Sequence, residues 1–430
     1  MNKKVCLTTQ EFPPDIGGVG ESAKRIALLL KELGYKVHVA VFRGVFRREK
    51  QLAEAGKFRR SYCQISEQDG IVVHRLQPAV RSTVARTQDY LADLYGQLTS
   101  LQQKYQFDLF HAFFINETGF LTTMLAKENG LPAINSVRGA DLHKHIFDPK
   151  QQAQIAWTLE NSAWTTFVSR DLMKRARIFV PSITSKSSAF WNSIVSIEFD
   201  KLPTPKLIHQ LRGTVIASIG NFRDKKGIEY LLDACEKLQA ETEFTLLLIG
   251  DFVTKEKGYW EQELNRSSIT NQIVITGIIN RTEALAYLPH VDIFAIPSLN
   301  DGCPNALLEA MLAGKAIVGT HTDAIGEIIE DEINGLLVNP YSSEELFAAL
   351  KKLIARPTLK QLLGQAAKEK VLEQLNPSVE QQNWAKIYHQ VLETPTHSIT
   401  QIESQNHALS DANGSKDIEE NKTIGLLASN

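Results

Sequence analysis

A chain of 430 residues with 43% hydrophobic and 22% charged residues can bury the cores of two full domains, and this composition excludes a disordered polymer. No run approaches the roughly 18 apolar residues of a membrane span, and the opening Met1-Asn2-Lys3-Lys4-Val5-Cys6-Leu7 enters strand-forming sequence without a cleavable signal, so the expected location is cytoplasmic. The net charge of −2 hides a split, because residues 1–200 carry 26 Lys and Arg against 19 Asp and Glu, while the remainder carries 21 against 30. From the N-terminus, apolar runs of strand length alternate with longer helical patterns, the signature of parallel α/β architecture. Strands are predicted over Val5–Thr9, Lys36–Phe42, Ile71–Leu76, Leu109–Phe114, Ala133–Val137 and Trp164–Val168. The scheme repeats over Val215–Ile219, Phe244–Ile249, Ile273–Thr276, Ile293–Ile296, Ala316–Gly319 and Gly335–Val338.

Between the two sets, Pro203 and Pro205 interrupt any helix or strand around residues 197–212, which marks a hinge. The predicted division is a first domain over 1–196, this hinge, and a second domain over 213–376. An amphipathic helix follows within 377–393, about Val379 to Leu392, and the polar tail over 394–430 is expected to be disordered. The cysteines Cys6, Cys63, Cys235 and Cys303 lie far apart, with no C-x-x-C pairing for zinc or a disulfide framework. A basic stretch, Arg43, Arg47, Arg48, Lys50, Lys57, Arg59 and Arg60, fits either a solvated loop or a peripheral contact with anionic lipid at the inner face of a membrane.

Three strand-loop-helix junctions carry the chemistry. The first is Glu11-Phe12-Pro13-Pro14-Asp15-Ile16-Gly17-Gly18-Val19-Gly20, whose glycines let a backbone approach a ligand closely. Gly18-x-Gly20-x-x-Ala23 also matches a dinucleotide fingerprint, but too many residues separate it from the strand and Phe42-Arg43 supplies no acid for a ribose. The second, Ser218-Ile219-Gly220-Asn221-Phe222-Arg223-Asp224-Lys225-Lys226-Gly227, places cations where they can neutralise a diphosphate. In the third, Pro297 to Gly314, Pro304 suits a first helical turn, and Asn305, Ala306 and the residues to Leu308 offer free N–H groups to an anion. Asp301 before that helix and Glu309 within it can accept hydrogen bonds from sugar hydroxyls beside the phosphate.

Taken together, these segments resemble the retaining glycosyltransferases of family 4, the group 1 enzymes of the GT-B fold. Asp301 and Glu309 align with their E-x7-E signature, with Asp for the first Glu, and Lys226 with the lysine of G-R-L-x-x-x-K-G, where Asn221 replaces the arginine and Arg223 stands nearby. The Pro-Pro-x-x-Gly-Gly loop with Gly17 and Gly18 is similar to the family's first loop, over the donor phosphates and acceptor. Gly277-Ile278 resembles the turn whose backbone meets the nucleobase, and Asp323-Ala324-Ile325-Gly326-Glu327 the loop after the signature helix. Asp108-x-x-His111-x-Phe113 and Arg138-Gly139-Ala140-Asp141 match D-x-x-H-x-H and H-G-x-D imperfectly, since Phe113 and Arg138 replace histidines.

The resemblance implies two Rossmann-like domains with parallel sheets facing an interdomain cleft, and a C-terminal helix crossing back to the first domain. It implies a hexosyltransferase-type enzyme moving a sugar from a nucleotide-sugar to a hydroxyl acceptor with retention, in polysaccharide or glycolipid biosynthesis, without a cofactor, nucleic acid or metal. The chain has no Asp-x-Asp triplet, the usual metal device of the other glycosyltransferase fold. By the same resemblance Lys226, Asp301 and Arg138 are catalytic. The donor lies on Gly17, Gly18, Arg223, Gly277, Ile278, Pro304, Asn305, Ala306 and Glu309, and His111 and Asp141 are candidate contacts to acceptor or sugar. The departures at Asp301, Asn221, Phe113 and Arg138 leave a non-catalytic nucleotide-sugar-binding protein as a second reading, with a GT-B sugar epimerase or phosphorylase as a third.

Overall fold

The computed structural model describes residues 3–15, 17–42, 59–79 and 87–393. Most of the basic stretch, residues 43–58, lies outside the described residues, as does the tail 394–430.

In the first half, strands form at β1 (Lys4–Thr9), β2 (Lys36–Phe42), β3 (Tyr62–Gln68), β4 (Ile71–Gln77), β5 (Leu109–Phe113), β6 (Ala133–Val137), β7 (Trp164–Phe167) and β8 (Ser187–Ala189). They make a single sheet in the order β3-β4-β2-β1-β5-β6-β7-β8. Every pairing is parallel except β3 with β4. The second sheet is wholly parallel. It joins β9 (Thr214–Phe222), β10 (Phe244–Phe252), β11 (Ile273–Ile275), β12 (Ile293–Ile296), β13 (Ala316–Thr320) and β14 (Leu336–Val338) in the order β11-β10-β9-β12-β13-β14. Central strands such as β5, β6, β12 and β13 are buried at every position. Helices cover both faces of such a sheet, which is why these strands read as continuous apolar runs.

Two strands were not legible. In β3 no side chain is buried and four of the seven are exposed, so it carries too few apolar residues to register. Its one sequence signal is the Asp69-Gly70 turn, where both residues adopt positive φ (52° and 71°), the preference of a two-residue hairpin. The three-residue β8 closes the opposite edge. The predicted hinge region contains only the short 3-10 turns Phe199–Lys201 and Ile208–Gln210.

Chain order reverses in each sheet beside its first strand, at β1/β5 and at β9/β12. In open α/β sheets the crevice beyond the carboxyl ends at such a point is where ligands bind. The loops after β1, β5, β9 and β12 are therefore expected at the cleft, and the loops after β6 and β13 join the contact between the domains. The helix Pro377–Glu393 returns to the first domain, where Trp384, Ile387, Tyr388 and Val391 join the core of Val5, Leu7, Val39 and Ile134. Its start is tied by Arg25, whose Nε donates to Glu380 Oε2 at 2.8 Å. Burial opposes ionisation of Glu380, but Arg25 and Ser193 outweigh it and hold the carboxyl below its ordinary value. Trp384 is 1% exposed, so Trp384→Ala is expected to cost about 3–5 kcal/mol. A lower urea midpoint at unchanged nucleotide affinity would show this, and an unmoved midpoint would contradict the packing role. Among the described residues no helix is long and apolar enough to cross a membrane.

Candidate functional site

The domains meet backbone to backbone where the loop after β6 faces the loop after β12. A Cβ added at Gly302 would fall 2.3 Å from the Arg138 carbonyl oxygen, so only glycine permits this approach. One apolar cluster continues through the contact, from Val168 and Leu172 to Cys303 and Leu307. Asn192 seals it, with Nδ2 donating to the Cys303 carbonyl at 3.0 Å and to Asn305 Oδ1 at 3.2 Å.

Beyond β9, a 3-10 turn over Asp224–Lys226 ends at Gly227, which has φ 61° and would strike the Pro297 carbonyl if it carried a Cβ. Leu299 N–H donates to the Lys225 carbonyl at 2.8 Å, fastening the cationic loop to the loop after β12. Lys226 Nζ thereby reaches Asp301 Oδ2 at 2.5 Å. Burial opposes the charge on Asp301, yet Lys226, Lys225 and Arg223 together hold its carboxyl below the usual range. Burial pushes the Lys225 ammonium down, partly offset by Asp301. Arg223 is exposed, and its charge extends to Glu11 of the first domain. Burial and Asp15 raise the Glu11 carboxyl, against the Gly20 N–H and Arg223.

Pro304 precedes the helix rather than occupying its first turn. It caps Asn305–Leu312 in extended conformation, with φ −74° and ψ 120°, and its carbonyl accepts from Leu307 N–H at 3.1 Å. Of the N–H groups expected to be free from Asn305 to Leu308, this bond takes that of Leu307, and those of Asn305 and Ala306 open the helix start. Their positive end of the helix dipole faces the cleft side that holds Gly18, whose nearest neighbour to an added Cβ is Asn305 Nδ2 at 3.9 Å. Gly17 is extended at φ 170°, and its missing side chain leaves room for the Glu11 carboxylate.

Glu309 is 6% exposed, and Arg281 grips Oε1 through Nε at 2.9 Å and Nη2 at 2.8 Å. Burial raises the Glu309 carboxyl and Arg281 lowers it, with burial prevailing. Arg281 opens a helix fixed by an Asn280–Glu283 capping box. Nearby in sequence, Gly277 takes φ 69° and Ile278 is 78% exposed.

In the first domain Arg138 stacks its guanidinium over the Phe113 ring at 5.4 Å and donates to Asn192 Oδ1 at 2.8 Å. Burial, with Arg25, pulls its pKa down to about 10. Asp141 is fully buried and accepts from the N–H groups of Ile115 and Arg138 at 2.8 and 3.0 Å, so it shapes the two loops. Burial raises its carboxyl against those bonds. His111 is placed away from the cleft. It is fully buried, with Nδ1 on Tyr388 Oη and Nε2 on Ser136 Oγ, both at 2.8 Å, and burial drives its pKa down to about 3. Neither ring nitrogen is left for a sugar, and its role in the fold is to hold the return helix.

The structure thus brings together Lys226, Asp301, Arg223, Asn305 and Gly18 at one cleft, with Glu309 on the same helix as Asn305. Sequence reasoning missed Glu11, Asn192 and Arg281 as cleft residues and gave Asp323 no role of its own. Glu11 and Asp323 stand at the edges of segments already singled out, Asn280-x-x-Glu283 announces the helix that carries Arg281, and nothing in the sequence around Asn192 marks it.

Residues 213–356 match the family Glycosyl transferases group 1, and residues 24–169 match the family Glycosyl transferase 4-like. The chain belongs to the glycosyltransferase superfamily. Two uncharacterized glycosyltransferases of Methanocaldococcus jannaschii are similar to it. One is 27% identical over 46% of this chain and only half of its own length, the other 22% identical over 86% of this chain and 94% of its own. Among solved structures, sucrose-phosphate synthase from Thermosynechococcus elongatus superimposes with a TM-score of 0.73 at 17% identity, covering 91% of this chain and all of that one. Anabaena HepE in complex with UDP-glucose gives 0.68 at 17% identity, over 90% of this chain and 99% of that one. These likenesses establish the fold as GT-B, two parallel α/β domains across a cleft.

Proposed function

We propose that this glycosyltransferase moves a hexose from a nucleotide-sugar to a hydroxyl of a lipid, polysaccharide or small molecule with retention, in the manner of family 4. The observation that carries this reading is the cationic loop Arg223–Lys226 held against Asp301 at the start of the helix Asn305–Leu312. Charge accumulates on the leaving diphosphate in the transition state, and fixed cations beside a helix N-terminus stabilise it without a metal. Asp301 is ionised and directed at the same point, suited to a donor-sugar hydroxyl. Closure of the two domains excludes water before the sugar is released. That HepE was solved with UDP-glucose supports a nucleoside diphosphate sugar as donor.

The test is thermal unfolding with UDP, GDP and ADP, followed by release of free diphosphate from the matching sugar nucleotide. A nucleotide at a hundred times its Kd is expected to stabilise the chain by about 2.7 kcal/mol, with release accelerating only when acceptor is added. No shift with any of the three nucleotides would overturn the reading.

A further inference from the structure

The short helix Asp323–Ile328 follows β13 and carries acids at its first and fifth positions, one turn apart. Both are bonded to the other domain. Asp323 Oδ1 lies 3.0 Å from His143 Nε2, and this pair is almost fully buried, at 0% and 8% side-chain exposure. Glu327 Oε1 accepts the Asp171 N–H at 2.9 Å, at the start of the helix Arg170–Phe179, and its Oε2 accepts the Trp191 indole N–H at 3.0 Å. A carboxylate there also meets the positive end of that helix's dipole. Arg170 in turn lies over the Trp191 ring at 5.5 Å.

Asp323 does more than join the domains. Its second oxygen, Oδ2, accepts the N–H of Asp301 at 2.9 Å. To reach both partners it holds a positive φ of 42°, a backbone region costly for most side chains and one that Asp tolerates better than most. The resulting chain runs from His143 of the first domain through Asp323 to the Asp301 backbone, and from the Asp301 side chain to Lys226. Movement of the first domain against the second therefore pulls on the residue paired with the lysine, whereas the Asn192 bonds and the Gly139–Gly302 contact end on backbone and side chains beyond Asp301.

We infer that Asp323 and Glu327 form an interdomain clasp, received by His143 and by Trp191 with the Asp171 N–H, that seats Asp301 and Lys226 only when the domains are closed. Asp323 and His143 are positioning residues: they act on the reacting sugar through Asp301. The inference rests on the proposed transfer reaction for its kinetic part and on geometry alone for its mechanical part.

The experiment compares the full chain with D323N/E327Q by small-angle scattering without ligand, by calorimetric titration with UDP, GDP or ADP, and by kcat and KM. The double variant is expected to show a larger radius of gyration than the parent and a nucleotide Kd within about threefold of it. Its kcat should fall by roughly tenfold to a hundredfold, the scale set by displacing a positioned group by about an ångström. H143A should follow the same pattern, while H143Q, which keeps an N–H donor, should recover most of kcat. An unchanged radius of gyration overturns the mechanical claim, and a fall in kcat matched by an equal loss of nucleotide affinity overturns the positioning claim. If the parent binds no nucleoside diphosphate the proposed reaction fails, and the scattering comparison still decides the clasp.

Discussion

Lys226→Ala is expected to lower turnover by roughly a hundredfold at saturating donor, the loss that follows removal of one preorganised donor to a developing oxyanion. The ammonium is held by Asp301 at 2.5 Å, and both side chains are largely shielded, at 17% and 16% exposure. A cation fixed in that way needs little reorganisation when charge moves onto the leaving diphosphate. The substitution also leaves Asp301 buried without its closest counter-ion, and Lys225 and Arg223 remain to limit that cost. Binding should weaken less than turnover, because the diphosphate's full charge develops only as the sugar leaves. Steady-state kinetics with the identified donor provide the check. Turnover within threefold of the parent would remove Lys226 from the chemistry and give its role to Arg223.

Glu309→Ala is expected to weaken every nucleoside diphosphate by about tenfold to a hundredfold, since a hydrogen bond to a charged group contributes about 1.5–3 kcal/mol. The helix carboxylate is proposed to bond the ribose, which all nucleotides share. Burial and the two bonds from Arg281 hold it in one orientation. Asp301→Ala should behave differently. Its carboxylate competes with phosphate for Lys226, so its removal should leave bare diphosphate affinity unchanged or stronger while sugar transfer collapses. Being one methylene shorter than the usual Glu, Asp301 is also expected to set sugar preference, with Asp301→Glu changing the favoured donor. Titration of both alanine variants with the diphosphate and with the sugar nucleotide separates the roles. Equal weakening of the bare diphosphate by the two would place Asp301 on the phosphates instead.

Local pattern was enough for much of this molecule. The alternating apolar runs placed the strands of both sheets within a few residues, because a strand buried on both faces must be apolar throughout. The three glycine- and charge-bearing junctions were legible for a similar reason: a strand, a loop and a helix start follow one another within about twenty residues, so their chemistry is written in a single segment. What failed locally were elements with little burial. β3 at the sheet edge buries none of its side chains and has no apolar run to announce it.

The partners of the charged and polar side chains were decided only by the tertiary structure. Lys226 meets Asp301 across 75 positions, His143 meets Asp323 across 180, and His111 meets Tyr388 across 277. A motif fixes which residue stands at the end of a strand, but not what crosses the cleft or returns from the C-terminus to cover it. His111 and Asp141 look alike in sequence to cleft residues and are enclosed because the return helix and the neighbouring loops occupy the space beside them. Asp323 took its place for the converse reason. Its positive φ turns the carboxylate back toward Asp301 and out toward His143, and a backbone reversal of that kind depends on packing around the turn rather than on the turn's own residues.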